Sequence, residues 1–92
     1  MRKSRQTPSG QRYELVLPDL GALDATSSLW LVELGEEVTQ GDRLLEVVAG
    51  AASIDLPSPA SGTLAEIWVE EDEPLQTGQV LGVVVGRRAS EA

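Results

Sequence analysis

The sequence has no cysteine and no histidine. The first absence excludes disulfides, thiolate metal sites and cysteine nucleophiles. The second removes the commonest general base and metal ligand. Lysine occurs once, as Lys3. No apolar run approaches the ~20 residues of a membrane span, so no membrane contact is expected. The opening Met-Arg-Lys-Ser-Arg is basic, but no apolar stretch follows it, so it does not read as a secretory signal. The expected location is cytoplasmic. Positive charge is scarce as well. Residues 13–86 hold one base, Arg43, against fourteen acids, and phosphate contacts need Lys or Arg, which argues against nucleic-acid binding. The acidic excess fits steering toward a basic protein partner, and it equally serves the solubility of a small domain.

What is present fits one small domain of 92 residues. Residues 1–12 carry Arg2, Lys3, Arg5 and Arg12 with no acid, broken by Pro8-Ser9-Gly10, and read as a disordered basic leader. Residues 13–86 form the body, and 87–92 read as a flexible tail. Within the body, Trp30-Leu31-Val32-Glu33-Leu34-Gly35-Glu36-Glu37-Val38 lines up with Ile67-Trp68-Val69-Glu70-Glu71-Asp72-Glu73-Pro74-Leu75 at an offset of 37. The same offset carries Gly41 onto Gly78, Leu44 onto Leu81 and Val47 onto Val84. Upstream, Leu15-Val16-Leu17-Pro18 matches Ile54-Asp55-Leu56-Pro57 at offset 39, which predicts a first-half loop two residues longer.

The apolar runs are short, rich in Val, Leu, Ile and Trp, and bounded by Gly, Pro, Asp and Ser, so they read as strands. No stretch long enough for a typical helix shows helical periodicity. Alternation predicts a core of Leu15, Leu17, Trp30, Val32, Val38, Leu44 and Val47 in the first half. The second half contributes Ile54, Leu56, Leu64, Ile67, Val69, Leu75, Leu81 and Val84. Such a core needs no metal or cofactor to hold it. Gly35, Gly41, Gly62 and Gly78 are expected at turns. Trp68 sits one position off the core register, beside the acidic run, and is expected to be half-buried.

Little in this inventory can do chemistry. Glu70-Glu71-Asp72-Glu73 reads as a solvated loop at a strand end, and Ser58 and Ser61 have no base nearby in sequence. No Asp-x-Asp-x-Asp-Gly spacing for calcium is present. No catalytic residue and no metal site are expected. The stretch Val48-Ala49-Gly50-Ala51-Ala52 is small and uncharged, and it joins two strand-like runs, residues 41–47 and 53–62, so a hairpin is predicted there.

The flanks of that hairpin resemble the lipoyl/biotinyl carrier domains, whose pattern is roughly Leu-x-x-Val-Glu-Thr-Asp-Lys-Ala-x-x-x-Val-Pro-Ser-Pro-x-x-Gly. Leu44, Val47, Ala52, Leu56, Pro57, Ser58, Pro59 and Gly62 fall on it. Val48, Ala49, Gly50 and Ala51 stand where the family has Glu, Thr, Asp and the modified Lys. Leu17-Pro18-Asp19-Leu20-Gly21 looks like the start of lipoyl domains in 2-oxo acid dehydrogenase acyltransferases, and it departs at Ala22-Leu23, where those often have Glu-Gly. Gly50 and Ala52 stand where biotin carriers usually place Met, so lipoyl is the nearer kin. The resemblance implies an all-β flattened barrel or sandwich of two four-stranded antiparallel sheets related by a pseudo-twofold.

The resemblance implies lipoate as the family cofactor, held through the positions of Ala49, Gly50, Ala51 and Ala52. None is attachable at Ala51, and the chemistry of arginine does not let Arg43 stand in for an amine. The expected function is a non-catalytic, lipoyl-like interaction module, a monomer with a protein partner. The alternatives are an acyl carrier seen as a mutated copy and a docking domain of a transport or adaptor protein.

Overall fold

The computed structural model of the protein describes residues 3–4, 10–21 and 23–86. Among these there is no helix. The strands are β1 (Lys3–Ser4), β2 (Arg12–Val16), β3 (Ala25–Trp30), β4 (Glu37–Val38), β5 (Arg43–Ala49), β6 (Ala52–Pro57), β7 (Gly62–Ile67), β8 (Pro74–Leu75) and β9 (Val80–Gly86). All pairings are antiparallel. One sheet runs β6-β5-β3-β8; the other runs β1-β7-β9-β2, with β4 also paired to β7. The two expected four-stranded sheets are therefore present, and β1 lengthens one of them. Within residues 1–12, expected to be a disordered basic leader, the described residues 3, 4 and 12 lie in strands, and residues 1–2 and 5–9 lie outside the described residues. Lys3 and Ser4 pair with Ile67 and Glu66, and β2 already begins at Arg12. The predicted tail at 87–92 lies outside the described residues.

The offset of 37 recurs in the hydrogen bonding. Ala25 faces Ala49 as Gly62 faces Gly86, and Trp30 faces Leu45 as Ile67 faces Gly82. Both ladders carry an irregularity at the same place, after Ser27 and after Leu64. Backbone N–H groups of Glu33 and Glu70 each donate to a glutamate three residues on, Glu36 and Glu73, at 3.0 Å. Upstream, the two halves match at a different offset from the expected 39. Leu45 faces Leu56 while its counterpart Gly82 faces Leu15, so Leu15 answers to Leu56 at offset 41, not to Ile54 at 39. The first loop is therefore longer by four residues, not two. Because side chains alternate with period two, a slip of two leaves every residue on its own face, and the core assignment survived the error.

Eleven of the fifteen predicted core residues are buried in one cluster, and the other four, Trp30, Val32, Ile54 and Ile67, are half-buried against it. Leu45, Ala25 and Ala60 also belong to it. Leu44 and Leu45 are both buried, although strict alternation would turn one outward, because the ladder shifts register between Arg43 and Leu45. A second cluster, Ala65, Val83 and Val85, was not foreseen. Val83 and Val85 flank Val84, so they lie on the opposite face of β9 from the main core. Arg12 pairs in register with Val85, and Glu66 with Val83. The ion pair between Arg12 and Glu66 therefore spans that face, and the stem of Arg12 helps to cover the valines. Trp68, half-buried as expected, donates its indole N–H to Glu66 at 2.7 Å. Gly62 is no turn residue. A Cβ there would lie 2.0 Å from the Val85 carbonyl oxygen, so the close approach of β7 to β9 requires glycine.

Candidate functional site at the β5–β6 turn

The hairpin is tighter than the five-residue joint predicted from sequence. Val48 and Ala49 belong to β5, Ala52 opens β6, and the turn is Gly50-Ala51 alone. Gly50 has φ +60° and is the only one of the two with positive φ. Glycine first and an ordinary residue second is the sign pattern of a type II′ turn, whose twist matches that of the strands it joins. The four positions expected to form the site separate into two environments. Gly50, Ala51 and Ala52 are exposed, whereas Ala49 is 4% exposed and faces Ala25 of β3 on one side and Ala52 on the other. Ala49 thus belongs to the interior end of the sheet, and only the turn and Ala52 are presented outward.

The long first loop braces the turn. The Gly50 N–H donates to the Asp24 carbonyl at 3.2 Å, and a Cβ on Gly50 would come within 3.1 Å of a methyl of Leu23. Leu23, itself 56% exposed, and Val48, 39% exposed, are the large apolar side chains beside the turn. From the sequence Leu23 stands out only as a departure from the acyltransferase pattern and Asp24 not at all, because nothing in the chain order ties residues 23 and 24 to residue 50. The nearest ion pair along the hairpin joins Arg43 to Asp55 at 3.4 Å, with Arg43 76% exposed. Such a pair contributes roughly 0–1 kcal/mol and leaves the turn itself uncharged.

Chemically, the turn offers very little. From Val48 to Ala52 there is no hydroxyl, amine, thiol or carboxylate side chain. A prosthetic group joined through an amide needs a primary amine, so these residues do not fit a covalently held lipoyl or biotinyl group. The sole lysine, Lys3, lies in β1, on the other sheet. Among the described residues no group of three or more Asp and Glu side chains is arranged to hold a metal ion. No helix among them is long and apolar enough to cross a membrane.

Known proteins similar to this chain are much longer than it is. A 30% identical stretch of 86 residues, 91% of this chain and 13% of the relative, occurs in the dihydrolipoyllysine-residue acetyltransferase component of the pyruvate dehydrogenase complex of Corynebacterium glutamicum. The dihydrolipoyllysine-residue succinyltransferase component of the 2-oxoglutarate dehydrogenase complex of Bartonella vinsonii subsp. berkhoffii is 33% identical over 86% of this chain and 20% of its own length. The lipoamide acyltransferase component of the branched-chain alpha-keto acid dehydrogenase complex of Bacillus subtilis is 33% identical over 74% and 16%. The chain thus spans a fifth or less of these relatives. Among solved structures, the urea carboxylase of Kluyveromyces lactis superposes with a TM-score of 0.73 at 18% identity, over 90% of this chain and 7% of that one, which is a likeness of fold. The biotin/lipoyl family described as "Biotin-requiring enzyme" matches residues 13–84, and the chain belongs to that family.

Proposed function

We propose that this chain is a lipoyl-type domain without its attachment lysine, working by protein contact as a non-catalytic module beside, or within, an acyltransferase component of a 2-oxo acid dehydrogenase complex. The observation that carries the reading is the β5–β6 turn. Its two residues, Gly50 and Ala51, stand where the family pattern has Asp and Lys, and the sole lysine lies in another sheet. Four neighbouring departures, Val48 to Ala51, favour loss of the arm over a single engineered replacement, which would have altered Ala51 alone. A partner protein is part of this reading, and the acidic body favours a basic one.

Incubation with lipoate ligase, lipoate and ATP, followed by intact-mass measurement, tests it. The native chain is expected to gain no mass. The double variant Gly50→Asp, Ala51→Lys is expected to keep its fold, since Asp tolerates positive φ and the Leu23 side chain that must yield is exposed at the surface. That variant is expected to gain one lipoyl group. A lipoyl adduct on the native chain would overturn the proposal.

A further inference from the structure

Among the described residues, the two halves differ in how the outer edge of one strand is paired. In the second half, β7 is flanked on its outer side by β4 at Gly62 and Thr63 and by β1 at Glu66 and Ile67. In the first half, β3 is flanked by β8 at Ala25 and Thr26, the counterparts of Gly62 and Thr63 at offset 37. The counterparts of Glu66 and Ile67 are Leu29 and Trp30, and among the described residues no strand pairs with their outer side. Leu31 donates its N–H inward to the Leu44 carbonyl at 2.8 Å. Successive residues of a strand point their N–H and C=O to opposite sides, so the N–H and C=O of Trp30 point outward, to the open edge. The same parity holds in the second half, where Trp68 donates inward to Leu81 and Ile67 meets Lys3.

Beside this edge lies a cleft of about 530 Å³ lined by Trp30, Ile67, Val69, Glu70, Glu71 and Asp72. The Trp30 indole N–H donates to the Val69 carbonyl at 3.0 Å, which fixes the ring as part of the cleft wall. The turn behind it is pinned to β3, for Asp72 donates to the Ser27 carbonyl at 2.8 Å and Ser27 to that of Glu73 at 2.9 Å. The result is an edge whose outward donor–acceptor pair is taken up by no described strand, with an aromatic wall and three exposed carboxylate side chains beside it.

We infer that the outer edge of β3 at Leu29 and Trp30 docks a short, extended, Lys/Arg-bearing segment of a partner protein by strand addition. The chain itself supplies the precedent. Its matching edge at Glu66 and Ile67 takes Lys3–Ser4, which the sequence sets within the basic run Arg2-Lys3-Ser4-Arg5. Main-chain bonds to Trp30 hold the register, while a basic side chain of the incoming segment reaches Glu70, Glu71 and Asp72. The edge is distinct from the β5–β6 turn, so it serves a partner whether or not the turn carries anything.

The test is a titration of the full chain, followed by amide and indole chemical shifts, with the capped hexapeptide Met-Arg-Lys-Ser-Arg-Gln, which copies residues 1–6. Saturable shifts are expected at Leu29, Trp30, its indole N–H, and at Glu70, Glu71 and Asp72. Methylating the backbone nitrogen of the peptide's Lys, the residue that meets Ile67 in the chain's own pairing, removes a main-chain donor without touching any charge. It is expected to lower affinity at least tenfold. The exposed double variant Glu70→Lys, Glu71→Lys is expected to do the same. Equal binding of the methylated and parent peptides would reduce the contact to charge attraction and overturn strand addition. Shifts centred on Glu66 and Ile67, concentration-dependent self-association through the β3 edge, or no saturation in the millimolar range would each overturn the proposal as well.

Discussion

Ser27 and Leu64 occupy matching positions in the two halves, and both are fully buried. The leucine packs into the core. The serine is spent on the acidic turn, where its hydroxyl accepts from the Glu73 N–H at 3.0 Å and reaches the Glu70 carbonyl. Ser27→Ala leaves the Glu73 N–H without this partner in a part-buried setting, a loss of about 1–3 kcal/mol. The expected result in urea unfolding is a lower midpoint with an unchanged slope. Gly62 fails for the opposite reason, too much matter in place of too little. With only 2.0 Å between its missing Cβ and the Val85 oxygen, Gly62→Ala must push β7 from β9 and is expected to cost about 3 kcal/mol. Its counterpart Ala25 faces Ala49, so the same ladder in the other half accommodates a methyl group on each side.

At the scale of elements, the two arginine pairs are not equivalent. Arg43 reaches Asp55 at 3.4 Å along one hairpin, with its own side chain 76% exposed. Arg12 reaches Glu66 across β9, over Val83 and Val85, which are 0% and 2% exposed. Being at the centre of a charge-assisted bond with Glu66, the Arg12 guanidinium has its pKa raised above the ordinary arginine value, and it stays charged through any working pH. Arg12→Ala is therefore expected to destabilise more than Arg43→Ala, whose effect stays within about 1 kcal/mol. Equal unfolding midpoints for the two variants would show that the stem of Arg12 gives the outer valines no useful cover. The β5–β6 hairpin behaves differently again. Its ends are tied, at Ala49 to β3 and at Gly50 to Asp24, so substitutions at Ala51 are expected to leave stability nearly unchanged while altering what the turn presents.

Over the whole molecule, fourteen acids against one base in residues 13–86 make self-repulsion a standing cost of the compact state. Salt screens it over about 10 Å at 0.1 M. Raising sodium chloride from about 10 mM to about 0.5 M, where screening is shorter still, is expected to raise the melting temperature by several degrees, as about 1 kcal/mol does in a domain of this size. A flat or falling melting temperature would mean that specific ion pairs outweigh the general field. The same charge underlies the Lys/Arg-bearing segment proposed for the open edge of β3.

Composition and alternation alone determined that the chain is all-β, which face of most strands is buried, and that the tip lacks any reactive side chain. These depend on residue chemistry and on a period of two, both readable along one dimension. The slip from offset 41 to 39 did no harm for that reason. Only the tertiary structure decided that the turn is Gly50-Ala51 with Ala49 drawn inside, that Leu23 and Asp24 brace it, and that Gly62 answers to a neighbouring strand. It also decided that Val83 and Val85 are covered on the outer face while no described strand takes the outer edge at Leu29 and Trp30. Each of these turns on which distant backbone lies alongside, a choice made by strand pairing across the sheet and invisible in the order of residues.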